Sequence, residues 1–379
     1  MTALLIGGDL CPMGRNEALF RESRAEAVFN DLLPEFQQAD LAVVNLECPL
    51  IKHRSPIQKD GVALGASVEC VQGIKAAGIG LVNLANNHIL DHGEAGLRST
   101  LAALDDAGIE YFGGGGNLEE AGRVAFHQVG QFRIGFLGVA EHEFTIAGRA
   151  SCGANPLDVI ECVRTLRRNR QECDFLIVLV HGGREHYRYP TPRLRQVCRF
   201  LVEEGASAVI CQHSHCVGCY ELHQKAPIVY GQGNLLFDAS AAKPAAWREG
   251  LLVKLMLEET GTCRAEWIPF SQSLEAPGVR RMPPGEAEAL LAGFEARSRE
   301  IATEGFVERK WLEYCRKEKY LYASRIRGHN RLLRVLNRKL RFSDWLYSRT
   351  TKLILRNVVE CETHREALET LWRDPETEF

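Results

Sequence analysis

Short apolar, β-branched runs recur along the first two thirds of the chain, each closed by a cluster of Gly, Asn or His and followed by apolar positions at helical spacing. The runs are Ala3 to Gly7, Leu41 to Leu46, Gly80 to Leu84, Arg133 to Val139, Asp174 to Val180, Ala208 to Cys211, Ile228 to Tyr230 and Leu251 to Leu257. Between them the spacing predicts helices over Glu17 to Gln38, Ser67 to Ala77, Glu94 to Ala107, Pro156 to Gln171 and Pro192 to Glu204. Strands alternating with helices of these lengths predict an α/β domain with a largely central sheet that ends near Pro269. A Pro-rich and Gly-rich break from Ala276 to Gly285 follows, and beyond it the pattern is helical only, as far as Trp372. The expected organisation is a body over residues 1–275 and a helical unit over 285–379.

Composition sharpens this picture. With 379 residues, 45% of them hydrophobic and 25% charged, the chain has enough apolar material for one large core and a smaller unit, which excludes a disordered protein. The net charge is only −3, yet Arg309 to Arg356 carries 15 Lys or Arg against Glu313, Glu318 and Asp344, a local +12 that leaves about −15 elsewhere. Two readings of that basic stretch stand: a solvated helix face paired with the acidic body, or a grip for an anionic polymer, nucleic acid or anionic membrane surface, with nucleic acid the less favoured partner. Trp311, Tyr314, Tyr320, Tyr322, Trp345 and Tyr347 interleave with the charges, placed either to stack on bases or sugars or to face a helical core.

The opening MTALLIGGDL has no basic segment before its short apolar run, so it reads as a buried strand, and no stretch approaches the roughly 20 apolar residues of a membrane span. A cytoplasmic protein without a transmembrane segment is expected. The 13 cysteines are scattered through strands and helices, which favours reduced, packed thiols over a disulfide framework. Cys216 and Cys219 have C-x-x-C spacing, but no second pair completes a structural zinc site, so they too read as buried thiols.

The chemistry gathers at strand ends. The first predicted strand runs into Asp9, the second into Asn45 and Glu47, the third into Asn86, Asn87 and His88, a fourth into His181, and another into His213 and His215. Carboxyl ends of strands in an α/β sheet face one crevice, so these residues are expected to converge. Two carboxylates, an amide oxygen and three imidazoles suit one or two divalent ions, Mn, Zn or Fe, with a carboxylate shared if there are two. Gly7, Gly8, Gly182 and Gly183 permit a close approach of backbone to ions or substrate. Asn234 and Asp238 in GNLLFD, and Glu185 and Tyr187 beyond His181, stand where they can orient a ligand or touch substrate, although turn chemistry and solvent exposure explain them as well.

The strings GGDLCPMGR, NLECPL, ANNHILDHG, HGGREHY, QHSH and GNLLFD, in that order, resemble the signature of the CapA-like proteins of poly-γ-glutamate capsule biosynthesis, within the calcineurin-like metallophosphoesterase superfamily. The resemblance covers residues 3 to about 260 and implies a metallophosphoesterase-like αββα sandwich with a helical C-terminal extension. It implies that Asp9 binds one ion, Glu47 bridges two, Asn87, His181 and His213 complete the second, and His215 returns to the first. His88 would protonate a leaving group, with Asp91 holding its tautomer, as a hydroxide activated by metal attacks a phosphoester or amide. The implied function is hydrolysis in capsule or cell-envelope polymer biosynthesis, on an anionic polymer or phosphoester and beside other capsule-biosynthesis proteins. The alternatives are a non-catalytic assembly component and a nucleic-acid or nucleotide phosphodiesterase. The chain departs from the superfamily at Cys11, where a histidine ligand is usual, leaving Cys11 a candidate to touch substrate or to stand behind the ligands. It also places Gly182 where an aromatic is common and Ser214 where proline is common.

Overall fold

Alternation along the strands builds the architecture. In the first strand, Thr2–Leu10, Leu4 and Ile6 point one way and Leu5 the other, and all three are fully buried, so both faces of the sheet must be covered. The computed structural model of the chain describes residues 2–59, 61–238, 243–325 and 347–374.

Two sheets result. The larger runs in the order Val279–Arg281, Cys263–Gln272, Glu249–Leu257, Thr2–Leu10, Leu41–Leu46, Ile79–Asn83 and Glu110–Phe112, with the short strand Asn234–Leu236 also pairing with Thr2–Leu10. The other runs Val217–His223, Ala226–Gln232, Ala208–Gln212, Phe175–His181, Phe132–Ala140 and Ala125–Val129. Leu4, Ile6, Val43 and Leu81 of the first sheet meet Phe136, Ile177, Leu179 and Ile210 of the second in a core between the layers. Leu5, Val44 and Val82 face outward onto the helices that carry Phe20, Ile74 and Leu104. Val178, Val180 and Val209 face outward under Leu166, Leu194 and Leu201. Helix, sheet, sheet, helix is thus the layer order, the αββα sandwich that the resemblance implied. Two sheets stand where the alternation alone pointed to one central sheet.

Other expectations need correction. The helix expected over Glu17 to Gln38 is broken into Glu17–Arg21, Ala25–Phe29 and Leu33–Gln38, because Ser23 (φ 58°) and Asn30 (φ 47°) take left-handed backbone. The strand Cys263–Gln272 carries the sheet past Pro269, and Val279–Arg281 pairs with it from inside the Pro-rich and Gly-rich break. The strand Val217–His223 went unread because it starts directly behind the His213–His215 cluster.

Beyond the break, the helices Pro284–Ile301, Phe306–Arg325, Arg349–Glu360 and Glu362–Arg373 lie on the body. Phe294 enters the core between the sheets, and Ile301 and Phe306 join the outer helical layer. Trp311 is buried against Tyr314, with ring centroids 5.3 Å apart, and donates to Thr370 at 3.0 Å, so these two aromatics pack within the protein. Residues 326–346 of the basic stretch, with Trp345, lie outside the described residues, as do the side chains of Tyr320 and Tyr322. Among the described residues no helix is long and apolar enough to cross a membrane, and all described cysteines are free thiols.

Candidate metal centre

Register brings the strand ends together. Asp9 pairs with Asn45 and Asn234, Asn45 with Asn83, and His181 with Gln212, so both sheets end at one rim. Gly8 permits this closeness, since a Cβ there would lie 2.2 Å from the Gly233 carbonyl oxygen. Its role is strand-to-strand contact rather than the approach to ions expected from the sequence.

Asp9, Glu47, Asn87, His181, His213 and His215 are all buried at this rim. Glu47 Oε1 lies 3.5 Å from His181 Nε2 and 3.9 Å from His215 Nε2. His181 Nε2 lies 3.0 Å from Asn87 Oδ1 and 3.1 Å from His213 Nδ1. His215 Nδ1 is 3.7 Å from Asp9 Oδ2. Two groups of converging ligand atoms result, Glu47 with His181 and His213, and Asp9 and Glu47 with His215. Glu47 belongs to both.

The geometry tests whether cations fit. Both Glu47 carboxylate oxygens are fully buried and accept no hydrogen bond, although a buried carboxylate is costly without donors or a counter-charge. Around His181 Nε2 stand an amide oxygen, an imidazole nitrogen and a carboxylate oxygen, more acceptors than one N–H can satisfy. A cation satisfies all of them at once, and oxygen and nitrogen donors in this mixture suit Zn, Mn or Fe.

Neighbouring side chains fix the donors. Asn45 Nδ2 donates to Asp9 Oδ1 at 2.8 Å, and the His213 backbone N–H donates to Asp9 Oδ2 at 3.0 Å. Asn234 Oδ1 sits 2.8 Å from His215 Nδ1 and anchors to the Trp247 carbonyl through its amide. His213 (φ 88°) and His215 (φ 52°) both hold left-handed backbone, a strained arrangement for non-glycine residues.

Electrostatics follow from burial. Burial first, then Glu47, pushes the Asp9 carboxyl up to about 8. Burial first, then Glu185, drives Glu47 well above the carboxylate range. Burial pushes Glu143 up to about 7 against the opposing charge of Lys59. Burial lowers His181 to about 4 and His215 to about 3, and drives His213 well below its usual range. The metal-free site therefore holds protons on Asp9 and Glu47 and none on His181, His213 or His215 near neutrality. Between pH 6.5 and 8 the folded state binds carboxyl protons that the unfolded state has lost, so metal-free stability is expected to fall as pH rises through that window. Glu141, raised to about 8 by burial, contributes the same sign in either form. Thermal melts of chelated and metal-loaded protein check this, and a chelated protein as stable at pH 8 as at 6.5 contradicts it.

Above the ligands, His88 Nδ1 lies 2.5 Å from Asp91 Oδ2, while Lys59 Nζ lies 2.7 Å from Asp91 Oδ1 and donates to the Asn87 carbonyl at 2.9 Å. Burial, then Lys59, lowers the His88 pKa against the pull of Asp91, so a neutral ring with its proton on Nδ1 leaves Nε2 for substrate. Asn86 shapes the turn, donating to the Leu46 carbonyl and accepting from the His88 N–H.

The remaining candidates divide. Glu185 lines the adjoining cavity of about 510 Å³. Burial raises its pKa most, but its interactions with His215, Arg184 and His186 together outweigh this and hold it below the usual value. Asp238 is at the rim, where it accepts from Arg15 at 2.8 Å. Of the two places expected for Cys11, contact with substrate is excluded, since it is wholly buried in the core beneath the outer helices beside Cys48, while its interaction with Glu47 keeps it behind the candidate ligands. Tyr187 turns into an aromatic cluster with Trp311 and Tyr314 instead of toward substrate. Cys216 and Cys219 are buried free thiols.

Four residues escaped the sequence reading. Glu143 lies just past the strand Phe132–Ala140, with its Oε1 3.8 Å from His213 Nε2 and 3.4 Å from Asn87 Nδ2; the strand-end rule that marked the other candidates would have marked it as well. Lys59 comes from a loop with no pattern. Asn357 and His364, on the C-terminal helices, line the same cavity.

Residues 3–239 match the model of the bacterial capsule synthesis protein PGA_cap family. The chain belongs to that family. Within the PGA_cap match lie Asp9, Glu47, Asn87, His88, His181, His213 and His215, whereas Asn357 and His364 lie beyond it. The chain is 27% identical over 274 residues to the capsule biosynthesis protein CapA of Bacillus anthracis, covering 70% of this chain and 66% of that protein. It is 28% identical over 269 residues to the PGA biosynthesis protein CapA of Bacillus subtilis strain 168, covering 69% of this chain and 70% of that one. The match thus spans about two thirds of these relatives' length. Among solved structures, a novel phosphatase from Mycoplasma pneumoniae superposes with a TM-score of 0.43 at 14% identity, covering 71% of this chain and 92% of that one.

Proposed function

We propose that this protein is a metal-dependent hydrolase of capsule polymer biosynthesis, acting on a phosphoester or amide bond in or near an anionic chain such as poly-γ-glutamate. The observation that carries this reading is Glu47, a buried carboxylate without a hydrogen-bond donor, shared by two groups of ligand atoms, one with His181 and His213 and the other with Asp9 and His215. Asp9, Glu47 and His215 would hold one divalent ion, and Glu47, Asn87, His181 and His213 the other. When bound, such ions supply charge neutralisation at the scissile group and lower the pKa of water at the site.

The chain's own residues do the rest. Asn45 and the His213 N–H fix the Asp9 carboxylate, and Asn234 fixes the His215 ring, so that ligand geometry is set before substrate arrives. Asp91 holds the His88 proton on Nδ1, and Lys59 neutralises Asp91, leaving His88 Nε2 to take a proton and pass it to the departing group. Glu185 and Arg184, at the cavity wall, contact the part of the substrate that does not react.

Metal analysis of purified protein is expected to find one or two divalent ions per chain. Hydrolysis of a chromogenic phosphodiester is expected to disappear on chelation and return on adding Mn, Zn or Fe. Protein without metal and indifferent to chelator would sink this reading. A second reading, a binding component of a capsule-assembly complex, draws on Cys11, which stands where a histidine ligand is usual and so leaves the first ion fewer ligands. It predicts metal-loaded protein with no turnover, and a His88→Ala strain that still makes polymer.

A further inference from the structure

The cavity beside the ligands has one wall that does not come from the family-matched residues. The helices Arg349–Glu360 and Glu362–Arg373 form a hairpin through Cys361, and Asn357, Cys361 and His364 line the cavity opposite His88, His213 and His215. The hairpin is anchored rather than loosely laid on. Thr363 Oγ1 donates to the buried Glu141 at 2.6 and 2.7 Å, and the His142 N–H donates to Glu362 Oε2 at 2.7 Å. Glu366 accepts from the Arg193 N–H at 2.8 Å, and Arg316 makes a two-point pair with Asp374 at 2.6 and 2.7 Å. The contacts at Glu141 and His142 tie the hairpin to the segment that follows the strand Phe132–Ala140, and those at Arg193 and Arg316 tie it to the helices Pro192–Glu203 and Phe306–Arg325.

Asn357 is the residue on this wall that its surroundings do not explain. It is 6% exposed, and its side-chain oxygen is buried without a hydrogen-bond donor. Buried amide oxygens are nearly always satisfied, so one that lines a cavity without a protein donor points to a ligand N–H. Arg184 lines the same cavity, donating to Tyr314 Oη at 2.6 Å, and brings positive charge to it. An acceptor for an N–H together with a guanidinium suits a ligand that carries both amide and anionic groups.

We propose that Asn357 is a specificity-determining residue, whose side-chain oxygen accepts a hydrogen bond from an amide N–H of an anionic, amide-linked substrate chain. This rests on the reading of the cavity as the substrate site and deepens it, since it assigns recognition of the chain's backbone to a helix outside the family match. The ions and His88 act at the scissile group, and the hairpin reads the amide next to it.

The test is calorimetric titration of γ-linked triglutamate, and of its analogue methylated on the amide nitrogens, into full-length, metal-loaded protein. Wild type is expected to bind the parent compound about tenfold more tightly than the methylated one, the margin set by a buried acceptor left unpaired. Asn357→Leu and Asn357→Ala are expected to bind both compounds alike, with the parent weakened about tenfold, while metal content and melting temperature stay at wild-type values. Variants that keep the wild-type preference, or a wild type that binds the two compounds equally, overturn the inference alone. A metal-loaded wild type that binds neither overturns it together with the polymer reading. Loss of metal by the wild type on purification, with no rebinding, strikes the proposed function itself.

Discussion

Glu47→Gln is expected to purify with less than a tenth of the wild-type metal and to lose about a thousandfold in kcat/KM on a chromogenic phosphodiester, corresponding to the several kcal/mol of charge stabilisation that bound cations supply. The reason is positional. Glu47 is the only residue common to both groups of ligand atoms found among the described residues, so neutralising it weakens both at once. The same substitution has the opposite effect on the metal-free fold. A carboxyl whose folded pKa is raised loses stability as pH climbs above its unfolded value, and glutamine does not titrate. Chelated Glu47→Gln protein should therefore melt above chelated wild type at pH 8. Metal analysis, kinetics and melting curves check the three parts. A variant with full metal occupancy would show that Glu47 holds no ion.

His88→Asn should behave differently. Metal content is expected to stay unchanged, because His88 belongs to neither ligand group, while kcat falls by about 10² to 10⁴, the range for a positioned proton carrier. Asp91→Asn should give a smaller loss of about 10- to 100-fold, since the ring remains but its tautomer is no longer fixed by a carboxylate. Lys59 donates to that carboxylate and lies 3.3 Å from His88 Nδ1, so the three form one unit and their losses should not add. A His88→Asn protein within twofold of wild-type kcat would remove the proton-carrier role.

The strand-to-helix alternation was legible wherever strands are buried on both faces. Parallel strands such as Phe175–His181 carry unbroken apolar runs whose ends are marked by the next polar residue. The same signal placed Asp9, Glu47, Asn87, His181, His213 and His215 at strand ends, and convergence then follows from sheet topology. What failed had no periodic signature. The bend at Ser23 and Asn30 depends on backbone dihedrals that neither residue announces. The second sheet was hidden because a sandwich and a single sheet both produce alternating elements, and only the packing of Phe136 and Ile177 against Leu4 and Ile6 separates them. Asn357 is more than a hundred residues from the nearest ligand, and nothing local about a polar residue on an amphipathic helix tells which surface it will close.

The left-handed backbone at His213 and His215 bears on how such a site persists through mutation. Glycine at either position would relax the chain, and asparagine would tolerate the conformation better than an imidazole does. Selection for folding alone would thus draw both positions away from histidine. Histidine at both positions therefore costs the loop stability that glycine would recover, and the rest of the fold offsets that cost.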